Sequence, residues 1–378
     1  MLAVMTAYVC PRCGSRAAAD TLTWCCPQCR GPWDLAFTAA PVPLPSLASR
    51  VNSLWRYAEA LPLATSLPRV TLGEGRTPVV PLSETVSAKL DFLTPTLSFK
   101  DRGAVMLAEL ARRLRPRLVV ADSSGNAGTA VAAYTARAGL PCAVYVPEGT
   151  SAKKLEQIRA HGARLAVVPG GRDAAARAAQ EAAGEPGAFY ASHVFNPHFL
   201  HGTKTYVYEL WEDGGGTLPD TLVVPVGNGT LLLGTALALD ELHGHGLISK
   251  RPALLAVQAE AVSPLAAAYR AGATDLTGPA RPAAPTLAEG IAIPHPPRAA
   301  QILRAVRDNG GTFLTVTDAQ IRDAQADLAR RGLYVETTAA ACWAAVRAEP
   351  PRPGSTVLPL CGAGAKTGLA APPADGEG

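Results

Sequence analysis

Nothing in this sequence limits the fold more than the order of strand, loop and helix that sets in after residue 116 and then repeats. Arg117–Ala121 reads as a short apolar strand and Asp122–Asn126 as a polar loop. Gly128–Ala138 reads as a helix that Gly139 and Pro141 bring to an end. Cys142–Val146, Ser151–His161, Arg164–Val168 and Asp173–Ala183 continue as strand, helix, strand, helix. A second stretch repeats the pattern: Thr221–Val226 and Leu231–Leu242, then Ala253–Glu260 and Pro264–Ala271. Arg298–Asp308, Asp318–Arg331 and Thr338–Arg347 read as helices, and Thr356–Leu360 as a late strand. Alternation of this kind predicts an α/β fold, with parallel sheets covered by helices and joined by right-handed crossovers. Ligands in such sheets bind where strands end and helices begin, so the loops are where chemistry is expected.

Ahead of this pattern stand Cys10-Pro-Arg-Cys13 and Cys26-Pro-Gln-Cys29. Each C-x2-C turn can aim two thiolates at one ion, and two such turns complete a tetrahedral zinc site. Cys25 is an alternative ligand; the spacing to Cys29 favours Cys26. A redox reading needs a strand and helix that this Pro- and Gly-containing segment does not offer, so the expected zinc is structural. Ala39–Ser46 is proline-rich and reads as a linker, and Val51–Ala64 as a helix-like apolar and aromatic stretch.

The chain has 378 residues, 48% of them hydrophobic, enough for two packed domains beside a small cysteine module. Its net charge of +4 is dispersed, and no basic block or interleaved aromatic stripe points to nucleic acid. Met1–Val9 lacks the positive start of an export signal, and the apolar run Leu231–Leu239 is broken by Gly234 and Thr235. No membrane partner is expected, and the cytoplasm is the default compartment. There thiols stay reduced and clustered cysteines more often bind metal. The tail Pro372–Gly378 reads as disordered.

Three loops carry candidate chemistry. Ser98-Phe99-Lys100-Asp101-Arg102-Gly103 opens a helix expected over Ala104–Leu114. A catalytic lysine needs a partly dry pocket or neighbouring cations to lower its pKa. Phe99 and Arg102 act in that direction while Asp101 opposes them, so the local sequence leaves the pKa of Lys100 open. Ser123-Ser124-Gly125-Asn126 leaves a strand and opens a helix, where unpaired backbone amides favour an anion such as a carboxylate. Plain helix capping is the alternative. Val226-Gly227-Asn228-Gly229-Thr230 does the same later, and its two glycines let amides approach a phosphate. A dinucleotide fingerprint fits poorly there: the third glycine, Gly234, comes two places late.

In order along the chain, Leu72-Gly-Glu-Gly-Arg-Thr-Pro78, Ser98–Gly103, Ser123–Asn126, Val224–Gly229 and, more loosely, Pro359–Lys366 resemble the motifs of threonine synthase, a fold-type II pyridoxal phosphate family. The resemblance implies a tryptophan synthase β-like fold of two doubly wound domains with a small amino-terminal zinc ribbon, which some members carry. Residues 1–35 would be the ribbon, 36–107 with 196–371 the large cofactor-binding domain, and 108–195 a small mobile domain. It implies Lys100 as the catalytic residue, holding pyridoxal 5'-phosphate as a Schiff base. Asn126 would meet the phenolic oxygen, Gly227, Asn228, Gly229 and Thr230 the phosphate, and Ser123 and Ser124 the substrate carboxylate. Cys361 stands where a threonine meets the pyridine nitrogen; a buried cysteine acting as a small hydrophobe is the alternative. Zinc would sit on Cys10, Cys13, Cys26 and Cys29. The expected reaction turns O-phosphohomoserine and water into L-threonine and phosphate, on a chain whose fold relatives are often homodimers.

The sequence also departs from the family. Asn196-Pro197 and Gly202-Thr-Lys204-Thr are present, but Phe199 stands where an arginine would grip the substrate phosphate. A phenyl ring cannot replace its bidentate hydrogen bonds. His193, His198, His201 and Lys204 are the cations that could replace it, with Lys204 the substrate-binding candidate; surface or interface packing is the other reading. Leu97 replaces a glycine. The lost arginine would also suit β-elimination or β-replacement on serine-, threonine- or cysteate-like amino acids. A zinc-ribbon interaction protein without turnover is a third class, opposed by the retention of Lys100, Asn126 and the glycine loop.

Overall fold

The computed structural model describes residues 7–19, 21–63, 69–278, 284–351 and 353–370. In chain order, the ribbon contributes β1 (Ala7–Val9), β2 (Arg16–Ala18) and β3 (Asp34–Ala36). There follow β4 (Val79–Pro81), β5 (Val86–Lys89), α1 (Lys100–Leu114), β6 (Leu118–Ala121), α2 (Asn126–Arg137), β7 (Cys142–Pro147), α3 (Ala152–Ala160) and β8 (Arg164–Val168). Next come α4 (Arg172–Ala183), β9 (Ala188–Tyr190), α5 (His198–Thr203), α6 (Thr205–Asp213), β10 (Thr221–Pro225), α7 (Thr230–Gly244) and β11 (Ala253–Ala259). The chain closes with α8 (Pro264–Arg270), α9 (Ala299–Asp308), β12 (Thr312–Val316), α10 (Asp318–Arg330), α11 (Thr337–Ala348) and β13 (Thr356–Pro359). The tail Pro372–Gly378 lies outside the described residues.

Two compact units divide these elements. The first comprises Met1–Arg76, Thr94–Thr217 and Leu237–Ser249. It holds the three-stranded antiparallel ribbon, in the order β2-β1-β3, and an all-parallel sheet in the order β8-β7-β6-β9. All four strands of that parallel sheet fall within residues 108–195. Its core is continuous from Leu54 and Trp55 through the buried face of α1 to Val119, Val144 and Phe189, and includes Phe199.

The second unit comprises Thr77–Leu93, Leu218–Ala236 and Lys250–Gly378. Its sheet runs β12-β11-β10-β13-β5-β4, parallel except for β4 at the edge. Every residue of β10 and β13 is buried, as expected of central parallel strands that read as unbroken apolar runs. Pro81 sits on the edge strand, where the missing N–H removes no ladder bond from a central strand.

In both sheets the chain turns back on itself beside one strand. In the first unit that strand is β6, flanked by β7 and β9; in the second it is β10, flanked by β11 and β13. The loops leaving these two strands are Asp122–Gly125 and Val226–Gly229, and carboxyl ends at such reversals are where open α/β sheets hold ligands.

Two stretches differ from expectation. Val51–Ala64 forms no α-helix; Leu54–Ala60 is a 3-10 segment interrupted at Tyr57 (φ −93°, ψ 43°). The linker reading of Ala39–Ser46 also fails, because Ala39 and Val42 are buried and the Ala40 N–H donates to the Glu59 carbonyl at 2.9 Å. That segment is anchored at Ala39, Ala40 and Val42, while Pro41, Pro43 and Pro45 are exposed.

Candidate active site

Lys100 is the first residue of α1, which begins four residues earlier than the helix expected at Ala104. The side chain is half-buried. Its Nζ lies 4.3 Å from the centroid of the Phe99 ring and 5.8 Å from that of Phe199, so two aromatic rings shield the amine from water. Asp101 and Arg102, left by the sequence as opposing influences on this amine, are each matched by other groups. The Asp101 carboxylate accepts from the Thr96 N–H at 2.7 Å and from the Thr96 hydroxyl. Arg102 donates to both oxygens of Glu209, at 2.6 and 2.9 Å, and to Thr205 Oγ1 at 3.1 Å, with both charged side chains fully buried. They frame the lysine by fixing the loop before it and the helix beneath it.

Glycine is required at Gly103 and Gly202 by close approach. A Cβ at Gly103 would lie 2.4 Å from the Phe199 ring, and one at Gly202 would lie 1.9 Å from the Arg102 carbonyl oxygen. Helices α1 and α5 therefore touch backbone to ring and backbone to backbone. Phe199, fully buried, fills the notch that results.

His193 stands edge-on to Phe199, with centroids 5.8 Å apart. Burial first, then the positive charges of Lys100 and Arg172, hold its pKa well below the ordinary histidine value. His198 is pushed down to about 3 by burial, and His201 is also lowered well below its ordinary value by burial and the Lys204 charge. Burial thus disfavours the charged form of all three imidazoles and weighs against the reading in which they stand in for the arginine as cations. Lys204 is likewise taken up by protein groups. Its Nζ, fully buried, donates to Glu241 Oε1 at 2.6 Å, lies 3.0 Å from His201 Nδ1 and sits 5.2 Å above the Phe37 ring. Tyr208 completes the cluster by donating to Glu241 Oε2 at 2.9 Å. Lys204 is thus held in a buried ion pair with Glu241.

The Ser123–Asn126 loop does what its sequence promises locally. Gly125 caps α2 with no side-chain hydrogen bond, so the first amides of the helix have no side-chain cap. A Cβ at Gly125 would meet nothing nearer than Ser123 Oγ at 4.0 Å, leaving that side of the loop open to a ligand. Gly128 is forced: a Cβ there would lie 1.7 Å from the Ser123 carbonyl oxygen, so the loop folds back tightly on its own helix. Asp122, next to Ser123, has its pKa raised by burial. Ser98 Oγ, on a fully buried residue two positions before Lys100, has no hydrogen-bond partner among the described residues. A buried orphan hydroxyl, a shielded amine and an uncapped helix end fit a ligand that carries acceptor oxygens.

In the second unit, Gly227-Asn228-Gly229 links β10 to Thr230, the first residue of α7. Gly229 has φ +75°, and a Cβ there would lie 2.4 Å from Ile302 Cδ1. A Cβ at Gly227 would lie 2.9 Å from the Ile291 Cα. Packing on these glycines turns the loop so that its amides, with the start of a 15-residue helix, can meet a phosphate. Cys361, 1% exposed, follows β13, and its thiol makes a long contact of 3.9 Å to the Pro359 carbonyl.

The Sγ atoms of Cys10, Cys13, Cys26 and Cys29 all lie within 4.8 Å of one another, with Cys10–Cys29 at 3.4 Å and Cys13–Cys26 at 3.5 Å. Tetrahedral zinc–thiolate geometry sets sulfurs about 3.8 Å apart, so the donor set fits that ion. Cys25 is buried and lies outside this group, which contains Cys26. Among the described residues no helix is long and apolar enough to cross a membrane.

Residues 70–362 match the family described as Pyridoxal-phosphate dependent enzyme. The chain is 32% identical over 350 residues to the threonine synthase of Methanosarcina acetivorans, covering 89% of this chain and 85% of that one. It is 34% identical to the threonine synthase of Mycobacterium leprae, over 75% of this chain and 79% of that one. Among solved structures, a T.th. threonine deaminase superposes with a TM-score of 0.63 at 28% identity, over 76% of this chain and 89% of that one.

Proposed function

The chain belongs to the pyridoxal-phosphate-dependent enzymes, and from that premise we propose that it is a lyase of the threonine synthase type, converting O-phosphohomoserine and water to L-threonine and phosphate. The observation that carries the reading is the placement of Lys100, a shielded amine opening α1 inside the motif that the resemblance assigns to the cofactor. Lys100 would hold the cofactor, Asn126 its phenolic oxygen, Gly227, Asn228, Gly229 and Thr230 its phosphate, and Cys361 its ring nitrogen. A thiol at that last position does not demand a protonated ring, which suits elimination and replacement at the β- and γ-carbons. When bound, pyridoxal phosphate supplies an electron sink that stabilises negative charge at the substrate α-carbon. Ser123, Ser124 and the first amides of α2 orient the substrate carboxylate. The amine of Lys100 takes the α-proton and returns it, and the Phe99 and Phe199 rings exclude water from that exchange. Over the reaction one proton leaves the β-carbon and one joins the γ-carbon, phosphate departs from the γ-carbon with its bonding electron pair, and water adds its hydroxyl at the β-carbon. Zinc on the four cysteines is structural, and the working compartment is the cytoplasm.

One observation favours a second reading. Phe199 is an apolar wall, burial disfavours the charged forms of His193, His198 and His201, and Lys204 is engaged in an ion pair with Glu241, which leaves these residues poorly suited to grip a substrate phosphate. That suits β-elimination from serine or threonine. The test supplies O-phosphohomoserine, serine and threonine separately to the purified holoenzyme and assays phosphate, ammonia and keto acid. Phosphate release with threonine formation supports the first reading. Ammonia and keto acid from serine or threonine, with no threonine made, would replace it by the second.

A further inference from the structure

Helix α5 has two working faces, and they set the ribbon in series with the lysine. Positions 199 and 202 face α1: the Phe199 ring lies against Gly103, and Gly202 against the Arg102 carbonyl. Positions 198 and 201, one step round the helix, face the amino-terminal segment. The His198 ring meets Tyr8 edge-on, with centroids 5.9 Å apart at 81°, and the His201 ring meets Phe37 edge-on at 5.3 Å and 90°. Tyr8 in turn stacks on Trp33 at 5.8 Å, and the Trp33 backbone N–H donates to the Phe195 carbonyl at 3.2 Å, just before α5. Trp24 packs edge-on to Phe195 at 5.1 Å and to Tyr190 at 5.2 Å.

The Tyr8–His198 contact is dry, while Phe37, Trp24 and Phe195 are half-buried. Tyr8, Trp33, His198 and Phe199 are each no more than 2% exposed, and His201 is 4% exposed. The edge-on ring contacts make His198 and His201 aromatic spacers between the amino-terminal segment and α1, and burial disfavours their charged forms. The ribbon core consists of Tyr8, Cys10, Ala19, Cys26 and Trp33, so two of the four clustered cysteines pack in the same small core as the residues that touch α5. A core of that size is too small to be rigid without a staple, which the thiolate cluster can provide.

We infer that the amino-terminal ribbon, together with Phe37 just after its last strand, is a positioning module for the lysine site: Tyr8 and Phe37 press on His198 and His201, and α5 transmits that pressure to Phe199, the wall beside Lys100. The residues act through α5 and touch no reacting atom. The inference rests on Lys100 being the cofactor lysine, as proposed above.

The test uses the full-length holoenzyme with the substitutions Tyr8→Leu, Tyr8→Phe and Phe37→Leu. Visible absorbance and circular dichroism of the bound cofactor are read before any substrate is added, followed by kcat and KM. Misplacing a reacting group by a fraction of an ångström is expected to lower kcat about ten-fold for Tyr8→Leu and for Phe37→Leu, with a displaced cofactor dichroism band and little change in KM. Tyr8→Phe keeps the ring and should restore both readouts. Phe37 lies outside the ribbon core, so Phe37→Leu reports even if Tyr8→Leu does not fold. Wild-type cofactor spectra and kcat in Phe37→Leu and in any folded Tyr8→Leu protein would overturn the inference. A wild-type protein that binds no cofactor would instead defeat the functional reading beneath it.

Discussion

At the scale of single residues, burial decides more than residue type. Glu74 is fully buried, accepts from the Leu72 N–H at 2.9 Å and from the Thr71 hydroxyl, and has its pKa raised from 4.5 to about 7, chiefly by burial. A carboxyl raised in the folded state keeps its proton after the unfolded chain has lost it. The native state therefore loses stability as pH climbs from about 4.5 to about 7, by about 3 kcal/mol for a shift of this size. Glu74→Gln should gain stability relative to the parent across that window, read from urea midpoints at several pH values; a pH-independent difference would contradict the assignment. Leu97 adopts φ +61° while 41% exposed, a left-handed conformation that costs a leucine about 1–2 kcal/mol. Leu97→Gly should raise the urea midpoint slightly and the β-branched Leu97→Val should lower it, and the reverse order would show that the backbone is not strained there. Lys204→Met leaves Glu241 without its ion-pair partner and should cost about 3 kcal/mol of stability with KM unchanged. A rise in KM with unchanged stability would return Lys204 to the substrate site.

At the scale of elements, the close crossing of α1 and α5 is the most sensitive joint. Gly103→Ala drives a methyl into the Phe199 ring and should destabilise by roughly 1–3 kcal/mol, the usual range for overpacking, while also displacing the cofactor absorbance. Unchanged stability and spectrum would mean that Phe199 is free to move aside. The alternating strands and helices from β6 to α4 were legible in the sequence because each carries its own period and ends at Gly or Pro. The capping box of α10, in which Thr317 and Gln320 satisfy each other's backbone, marks that helix start equally plainly. What escaped the sequence is short or long-range. Strands β4, β9 and β12 have three to five residues each, and α5 has six, too few for a period to show. Leu54–Ala60 has helical composition, yet its tertiary contacts hold a kinked 3-10 form.

At the scale of the whole molecule, the identities of the candidate site residues were readable from motif order, whereas their electrostatic states were not. Ser123–Asn126 and Gly227–Thr230 lie in strand-to-helix loops as read, whereas Lys100 lies already within α1 and not ahead of it. The lowered pKa values of His193, His198 and His201 and the pairing of Lys204 with Glu241 depend on burial and on neighbours far along the chain, which local sequence does not encode. The ribbon's aromatic contacts with α5 belong to the same long-range class. Every functional statement returns to one amine. Reducing the pyridoxal-phosphate-loaded enzyme with borohydride and mapping the labelled peptide tests it most directly. The account predicts a single stoichiometric pyridoxyl group on Lys100, and a label on any other residue, or none, would contradict it.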